Sequence, residues 1–203
     1  MNRPIEATQG VSDQAVTVKA TEGGILHGIP YQVVWTAKGY GFETMSTAAT
    51  ASLVVRPSTL SALTLYNNTA KNFVIERAFA FNLVSIANGQ FGIWLCVHPI
   101  GMTAPTGNNI TIRNSLSGLT AGTEGVCDTA EAVTDNGWFP WGVSQTSVTA
   151  TVPGSLATAE VGGRIIIPPT AGISIQCVAQ TAVVTCTHGF HWFSVPVSAF
   201  VLG

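Results

Sequence analysis

The sequence predicts an all-β protein, built as an antiparallel β-sandwich. Three observations support this fold class: short runs rich in Val, Ile, Thr and aromatic residues, turn formers between the runs, and no long stretch with the apolar period of an amphipathic helix. Successive strands without intervening helices form two sheets packed face to face, because each sheet has an apolar face to bury. The 203 residues suffice for one such domain.

Residues 1–28 are predicted to form an extended N-terminal arm. Their apolar residues show weak periodicity, polar groups are scattered among them, and Gly23-Gly24 favours irregular backbone. Such an arm has no core of its own, so we expect it to lie on a neighbouring subunit. Residues 29–203 are predicted to form a single domain.

The predicted strands begin at Ile29 and continue almost to the C-terminus. In chain order the runs are IPYQVVW, TASLVVR, LSALTLYN, NFVIERAFAFNLVS, QFGIWLCVH, NITIRN, SVTATV, GRIIIPP, ISIQCVAQ, AVVTCTH and FHWFSVPVSAFVL. Turns are predicted at 66–69, 87–89, 106–109 and 168–172, because Asn and Gly accept a positive φ while Pro fixes φ and lacks an N–H.

Alternation with a period of two is clearest in the fourth run. It predicts one face made of Phe73, Ile75, Arg77, Phe79 and Phe81, with the intervening residues on the other face.

One short segment is the best candidate for a helix. Residues from Glu124 to Val133 include VCDTAEAV, which contains no helix breaker. An ordered loop is the alternative, and the sequence leaves both open.

The composition indicates a surface that contacts other protein. Only 9% of the residues are charged and 46% are hydrophobic, whereas about a quarter of the residues of a typical soluble domain are charged. We therefore expect association with copies of the same chain. The net charge is −2 and the basic residues are scattered, so nucleic acid is not expected as the main partner. The N-terminus has no signal-peptide core and no apolar run reaches membrane-helix length, so neither secretion nor a membrane partner is expected.

The cysteines are predicted to be reduced thiols. Cys96, Cys127, Cys177 and Cys186 show no C-x-x-C spacing, and three of them lie in apolar strand-like runs, where a free cysteine behaves as a small buried hydrophobe. One alternative stays open, because Cys177 and Cys186 could face each other across a hairpin.

The segment TCTHGFHWF holds the most prominent Cys/His cluster. Cys and His are the ligands that zinc prefers, and this segment contains Cys186, His188 and His191, with Cys177 one hairpin away. In a strand, Cys186 and His188 share a face, whereas His191 points the other way unless Gly189 forms a bulge. No carboxylate lies nearby in sequence to orient an imidazole. We therefore predict no metal site here.

An acidic segment contains Glu124, Asp128, Glu131 and Asp135 without any Lys or Arg. Carboxylates can bind calcium or act as acid and base, but the spacing does not match the familiar calcium loop. A solvated loop is predicted. Calcium bound at an oligomer axis is an alternative that one chain leaves open.

The aromatic segment Trp138-Phe139-Pro140-Trp141 is predicted to be a loop. Trp is favoured at interfaces and in sugar-stacking sites, because it combines a large rigid apolar area with a polar handle. We predict that Trp138, Phe139 and Trp141 lie in the core or at a subunit contact, with a glycan platform as the alternative.

No catalytic motif is found in the sequence. The chain lacks a G-x-S-x-G elbow, a phosphate loop and a dinucleotide fingerprint. Its four His are scattered, so a Ser-His-Asp set has no positive support, although triads assemble in space. A non-enzymatic protein without a cofactor is predicted.

Three stretches, LTLYNNTAKNFVIERAFAF, FGIWLCVHP and GGRIIIPPTAGISIQCVAQ, resemble the virion structural proteins of bacteriophages, particularly capsid-associated jelly-roll proteins. The resemblance is one of sequence style over residues 50–200. It includes a strand that ends at Tyr66-Asn67-Asn68 and a late hairpin that turns at Ile167-Pro168-Pro169.

The resemblance implies a single jelly-roll domain over residues 29–203 and a structural role in a virion. The chain would be a capsid or capsid-decoration subunit, assembled in the host bacterial cytoplasm as a trimer or larger ring. Its partners would be copies of itself and other virion structural proteins. The alternative is a receptor- or glycan-binding head of a spike or fibre.

Overall fold

Two antiparallel sheets pack face to face in the computed structural model, which confirms the predicted β-sandwich. The structure describes residues 5–8, 15–18, 30–82, 91–107, 110–143, 156–179 and 183–200. Its strands are β1 (Ile5–Thr8), β2 (Ala15–Val18), β3 (Gly41–Met45), β4 (Thr50–Ala51), β5 (Leu63–Tyr66), β6 (Lys71–Asn82), β7 (Phe91–His98), β8 (Ile112–Asn114), β9 (Val126–Thr129), β10 (Trp138–Val143), β11 (Leu156–Ile167), β12 (Gly172–Ala179) and β13 (Thr185–Pro196). Helix α1 spans Tyr31–Ala37, and a 3-10 turn spans Val197–Phe200.

In the two large sheets, strands that pair with each other are not consecutive in the sequence. The first sheet has the order β11-β6-β13-β3-β8, with β4 also paired to β13. The second sheet has the order β10-β7-β12-β5-β9. Strands β1 and β2 pair only with each other.

Eight strands pair in a nested pattern, like the two sides of one long hairpin. The outermost pair is β3 with β13, and the following pairs are β5 with β12, β6 with β11 and β7 with β10. Successive pairs alternate between the two sheets. Further ladders, β6 with β13 and β7 with β12, join the pairs within each sheet.

The core lies between the sheets and contains the largest fully buried side chains. Trp192 is central, since its ring lies 5.8 Å from that of Phe73 and 6.1 Å from that of Phe42. Strand β11 alternates strictly between exposed and buried positions over Leu156–Val161, as expected of a strand with one face on the core.

A bulge in β6 contradicts the uniform alternation predicted for residues 73–81. Ile75 pairs with Trp192 and Arg77 with His191, so Glu76 has no partner in this ladder. Because this residue is extra in β6, each later residue of the strand faces the side of the sheet opposite to the one predicted. Phe73 and Ile75 are therefore buried in the core as predicted, but the next core residues are alanines instead of phenylalanines. These are Ala78 and Ala80, while Phe79 and Phe81 are only partly buried.

The prediction of a strand at IPYQVVW is wrong, because this run forms α1. The N–H groups of Val33 and Val34 bond to the carbonyl oxygen of Pro30, and Trp35 packs against an apolar patch of Val74, Phe193 and Val195. Tertiary contacts outweigh the strand preference of the two valines.

The helix considered for Glu124–Val133 is not formed, since these residues contain strand β9. Its register sets Cys127 opposite Leu65. The loop predicted at Trp138–Trp141 is also wrong, because these residues lie in β10 at a sheet edge, where a proline is tolerated.

Other predicted strands differ from the observed strands in length or number. TASLVVR contributes only the short β4, and the last two runs join into β13. Strands β12 and β13 lie in different sheets, so Cys177 and Cys186 do not face each other across a hairpin. Strand β3 was not predicted, since GFETM carries little β-branched signal. SVTATV lies outside the described residues. In the predicted arm, the structure describes β1 and β2, and the role of the arm stays a prediction.

Truncation of a core leucine should destabilise the fold far more than truncation of a surface leucine. Leu63 is fully buried and Leu119 is 69% exposed. We expect Leu63→Ala to lower the free energy of unfolding by about 2–5 kcal/mol and Leu119→Ala to change it by no more than about 0.5 kcal/mol. Urea unfolding measures both, and equal effects would contradict this assignment of the core.

Candidate functional site

The three aromatic candidates do not share one surface. Trp138 is 3% exposed, donates from Nε1 to the carbonyl oxygen of Ser58 at 2.8 Å, and packs in a cluster with Val133. Phe139 is 63% exposed. Trp141 is partly buried, with the Arg164 guanidinium 5.4 Å from its ring centre. A contact role at the surface therefore remains a prediction for Phe139 and Trp141, whereas Trp138 is a core residue.

The Cys/His cluster divides between the two faces of β13. Cys186 and His188 are fully buried, whereas His191 lies against Phe79, with ring centres 5.3 Å apart. Gly189 forms no bulge, since its ladder pairing is regular and the register shifts only after His191, so His191 points away from the other two side chains as predicted. Among the residues described, no group of three or more His, Cys, Asp or Glu is placed to hold a metal ion.

His188 is a buried imidazole with one unsatisfied nitrogen. Its Nδ1 lies 3.4 Å from the hydroxyl of Thr50, and its Nε2 has no hydrogen-bond partner among the residues that the structure describes. Burial lowers the pKa of His188 to about 4, because the charged form loses its hydration. The side chain is therefore neutral at neutral pH.

The acidic residues have separate partners, so they do not form one site. Glu124 accepts from Lys71 at 2.7 Å and from Ser194 at 2.8 Å. Asp135 pairs with Arg56 at 2.6 Å, and this hydrogen bond lowers the pKa of the carboxyl.

Asp128 and Glu131 are the two acidic residues that do interact. Asp128 is buried and accepts from the N–H of Thr129 at 2.8 Å. Partial burial, and then the hydrogen bond and the charge of Asp128, raise the pKa of Glu131. The predicted solvated loop is thus partly strand and partly buried.

A chain of buried hydrogen bonds crosses the second sheet and ends at His98. The oxygens of Ser61 and Thr64 are 2.7 Å apart, and Thr64 and Ser174 are 2.8 Å apart. Ser174 Oγ is 2.8 Å from His98 Nε2, and His98 Nδ1 is 2.9 Å from Asn136 Oδ1. Because Asn136 Oδ1 only accepts, Nδ1 donates to it, and Nε2 accepts from Ser174. Each hydroxyl can then donate to the next along the chain.

His98 has the hydrogen bonds of a catalytic base, with a serine on one nitrogen and an orienting amide on the other. Burial lowers the pKa of His98, and the hydrogen bond with Asn136 opposes this. The imidazole is therefore neutral and able to accept a proton. Neither motif nor spacing predicted this arrangement, because its members come from three separate segments of the chain.

The serine of this arrangement is not accessible from the neighbouring cavity, as a serine nucleophile would have to be. A cavity of about 500 Å³ lies between residues 99–103 and 132–134, with His98 and Asn136 in its wall. Ser174 does not line this cavity and has no exposed surface. A substrate carbonyl in the cavity could not contact the serine oxygen. The arrangement instead anchors residues 132–136 on the sheet.

Loss of the Ser174 hydroxyl should destabilise the fold, because His98 Nε2 would lose its donor inside the protein. We expect Ser174→Ala to cost about 1–3 kcal/mol, as for other buried unsatisfied groups. Thr158→Ala removes an exposed hydroxyl and is the matched control, expected within about 0.5 kcal/mol of wild type. Equal free energies of unfolding for both variants in urea would contradict the hydrogen-bond chain.

Protonation of His188 should destabilise the protein in acid. The pKa is 6.5 in the unfolded chain and about 4 in the folded one. Between these values the unfolded state binds more protons, so the free energy of unfolding falls as the pH drops from 6.5 to about 4. The full loss is about 3 kcal/mol, and no more is lost below pH 4.

His188→Gln should remove this part of the acid sensitivity. The measurement is the change in the free energy of unfolding between pH 7 and pH 4, which is compared with that of wild type and of His191→Gln. If His188→Gln loses as much stability in acid as wild type, His188 is not the group responsible.

The described residues include no helix of the length and apolarity that a membrane crossing requires. No model of a known protein family, no curated protein and no solved structure matches this chain.

Proposed function

We propose that this protein is a non-enzymatic structural subunit of a bacteriophage particle, a capsid or capsid-decoration protein that self-associates. The observation that carries the proposal is the nested pairing of eight strands. In this proposal, copies of the chain contact each other through the surface of the sandwich.

The nested pairing supports a jelly roll. In chain order the eight strands are β3, β5, β6, β7, β10, β11, β12 and β13. They pair first with eighth, second with seventh, third with sixth and fourth with fifth, and these pairs alternate between two sheets. A long hairpin wound in this way produces the two Greek keys of a jelly roll, the architecture of many viral capsid subunits.

An apolar groove beside α1 is suited to contact with another copy. Among the described residues, Gln32, Val33, Thr36, Ala37 and Leu116 line this groove of about 380 Å³, and none of them is charged. Val33 and Leu116 are each 57% exposed. Apolar side chains left in water favour association, and the core of an interface is depleted of charge. A second copy of this charge-poor chain is therefore the occupant that we infer.

Two of the four sheet edges, β10 and β11, favour association through such faces over strand pairing. Pro140 lies in the edge strand β10 and lacks an N–H, and the register shifts between Pro140 and Gly142. The ladder of the edge strand β11 with β6 shifts in register between Glu160 and Ile165, where Gly162 and Gly163 have a positive φ. Prolines and bulges at edges discourage pairing with another chain.

The N-terminal segment supports a contact between subunits. Strands β1 and β2 pair with each other and join neither large sheet, and their register sets Ile5 opposite Val18 and Ala7 opposite Val16. An isolated two-stranded hairpin is marginally stable in water. Cover from a neighbouring subunit would stabilise it, as expected of an arm.

A glycan-binding head is the second candidate, and exposed Phe139 favours it. Phe139 lies three residues after Asn136, which lines the cavity of uncharged residues beside His98. Lectin domains also use jelly rolls. The burial of Trp138 removes one of the two tryptophans on which this candidate depended.

The mass of the untagged protein in solution tests the proposal. We expect light scattering to give a trimer or a larger closed assembly at micromolar concentration, with rings or particles in electron micrographs. A stable monomer would contradict self-association. Binding of that monomer to a glycan array, lost in Phe139→Ala, would favour the second candidate.

Charge placed in the groove should disrupt the assembly without unfolding the subunit. We expect Val33→Asp and Leu116→Asp each to lower the mass in solution, because a carboxylate would be desolvated at the contact. Thr123→Asp adds the same charge at another exposed position and should leave the mass unchanged. An unchanged mass for both groove variants, with a wild-type circular dichroism spectrum, would place the interface elsewhere.

A further inference from the structure

The hydrogen-bond chain that ends at His98 can run in either direction. When the imidazole is neutral, Nε2 accepts from Ser174, so the hydroxyls donate toward His98. The contacts of Thr64 with Ser61, at 2.7 Å, and with Ser174, at 2.8 Å, allow either oxygen to donate. Each hydroxyl can donate one hydrogen bond and accept others. The direction of the chain is therefore set by the groups at its two ends.

A backbone carbonyl lies at the end of the chain opposite to His98. Ser61 Oγ is 3.3 Å from the carbonyl oxygen of Glu131, in a geometry that lets the hydroxyl donate. The same carbonyl oxygen accepts from the N–H of Ser61 at 3.0 Å. A carbonyl oxygen has two lone pairs and can accept both hydrogen bonds. The last hydroxyl of the chain thus has an acceptor when the chain is reversed.

Protonation of His98 reverses the chain without leaving a buried donor unpaired. A charged imidazole donates from both nitrogens. Nδ1 keeps its hydrogen bond to Asn136 Oδ1, at 2.9 Å, and Nε2 donates to Ser174 Oγ, at 2.8 Å. Each of the three hydroxyls then rotates and donates to the next in the opposite direction, and the last donates to the backbone carbonyl. No hydrogen bond of the neutral form is lost.

His188 lacks such an arrangement, although both imidazoles are buried. Its Nε2 has no hydrogen-bond partner among the described residues, so a proton there would have no acceptor. Burial lowers the pKa of both histidines, and only for His98 does a side-chain hydrogen bond, with Asn136, oppose this. Protonation of either histidine therefore lowers stability as the pH falls. The acceptors around His98 limit this loss.

Two ionisable groups share a face of the second sheet with His98. Cys96 lies on the same strand, with Sγ 4.0 Å from Nδ1, and burial raises the pKa of this thiol. Tyr66 lies two strands away in the same row, because His98 and Tyr66 both pair with Gly172 of β12. Residues 99–103, which follow His98 along the cavity, contain no ionisable group. A thiol and a phenol are therefore the ionisable neighbours on this face.

Charged groups lie above this face and at the far end of the chain. Asp135 precedes Asn136 and pairs with Arg56 at 2.6 Å, so these two charges offset each other. Asp128 lies opposite Thr64 in the ladder of β9 with β5, and its hydrogen bond and charge act on the side chain of Glu131. A test of the chain must therefore leave these charges in place.

We propose that the three buried hydroxyls form a reversible relay, which transmits the protonation state of His98 to the backbone carbonyl oxygen of Glu131. This carbonyl and Asn136 lie at the two ends of residues 131–136, a segment that forms one wall of the cavity. When His98 is charged, Ser61 holds the carbonyl with a second hydrogen bond. The relay does not depend on the function proposed above.

The titration of His98 in two relay variants tests the proposal. Thr64→Val and Ser61→Ala each remove one hydroxyl that does not contact His98. Each variant leaves the preceding hydroxyl without an acceptor when the chain is reversed, but not when it runs toward His98. We expect about tenfold weaker proton binding by His98 in both, because a buried donor without an acceptor is costly. NMR of the imidazole measures this, and the loss of the signal in His98→Gln identifies it.

Thr187→Val is the matched control. It removes a buried hydroxyl that donates to the carbonyl oxygen of Phe81 in the other sheet, and should leave His98 unchanged. Unchanged proton binding in both relay variants would overturn the proposal. An equal effect in the control, or an imidazole that stays neutral until the protein unfolds in acid, would do the same. If Thr64→Val does not fold, Ser61→Ala decides.

The carbonyl carbon at position 131 tests whether the signal arrives. The measurement is made in Glu131→Gln, where the side chain no longer titrates but the backbone carbonyl remains. We expect the ¹³C chemical shift of this carbon to change at the same pH as the His98 imidazole, and to lose this change when Thr64→Val is added. A carbonyl shift that does not follow His98, or that follows it equally with Thr64→Val present, would contradict transmission through the hydroxyls.

Discussion

The ladder between β6 and β13 is the constraint on which the rest of the structure depends. It runs from Cys186 opposite Asn82 to Pro196 opposite Lys71, through the middle of the first sheet. Its bulge at Glu76 decides which residues of β6 enter the core. The small Ala78 and Ala80 then lie opposite Phe190 and His188. Without the bulge, phenylalanines would take the places of the alanines and meet large side chains already present in a close-packed interior.

The same ladder explains why Cys186 and His188 are buried in the core. With alternate residues of β13 turned inward, Cys186, His188, Phe190 and Trp192 are carried into the core together. The neutral imidazole is the form of His188 that is stable there, because a charge would lose its hydration. In the second sheet, Ser174 satisfies His98 from within the protein. The hydrogen bond of His98 with Asn136 then holds the loop that contains Asn136 on this sheet.

The surface differs from that of a typical solitary domain. Few charges are available, and several of them are used in ion pairs that fasten distant segments, as Lys71 does with Glu124 and Arg56 with Asp135. Several large apolar side chains are exposed, among them Val33 and Leu116 beside the groove at α1. Pro140 in β10 and the register shift in the ladder of β11 disfavour pairing with a further strand at those two edges.

The sequence by itself determined the fold class and most of the strands. Val, Ile, Thr and aromatic runs separated by Gly, Asn and Pro are local signals, and they predicted the sandwich and the strands around Phe91–His98 and Gly172–Ala179 correctly. Only the tertiary structure decided the face that each residue of β6 presents, the helix at Tyr31–Ala37 and the strand at Trp138–Val143. It also decided the meeting of Ser174 with His98. These depend on register and on contacts between residues far apart in the chain or in different sheets, and a local pattern holds no information about either.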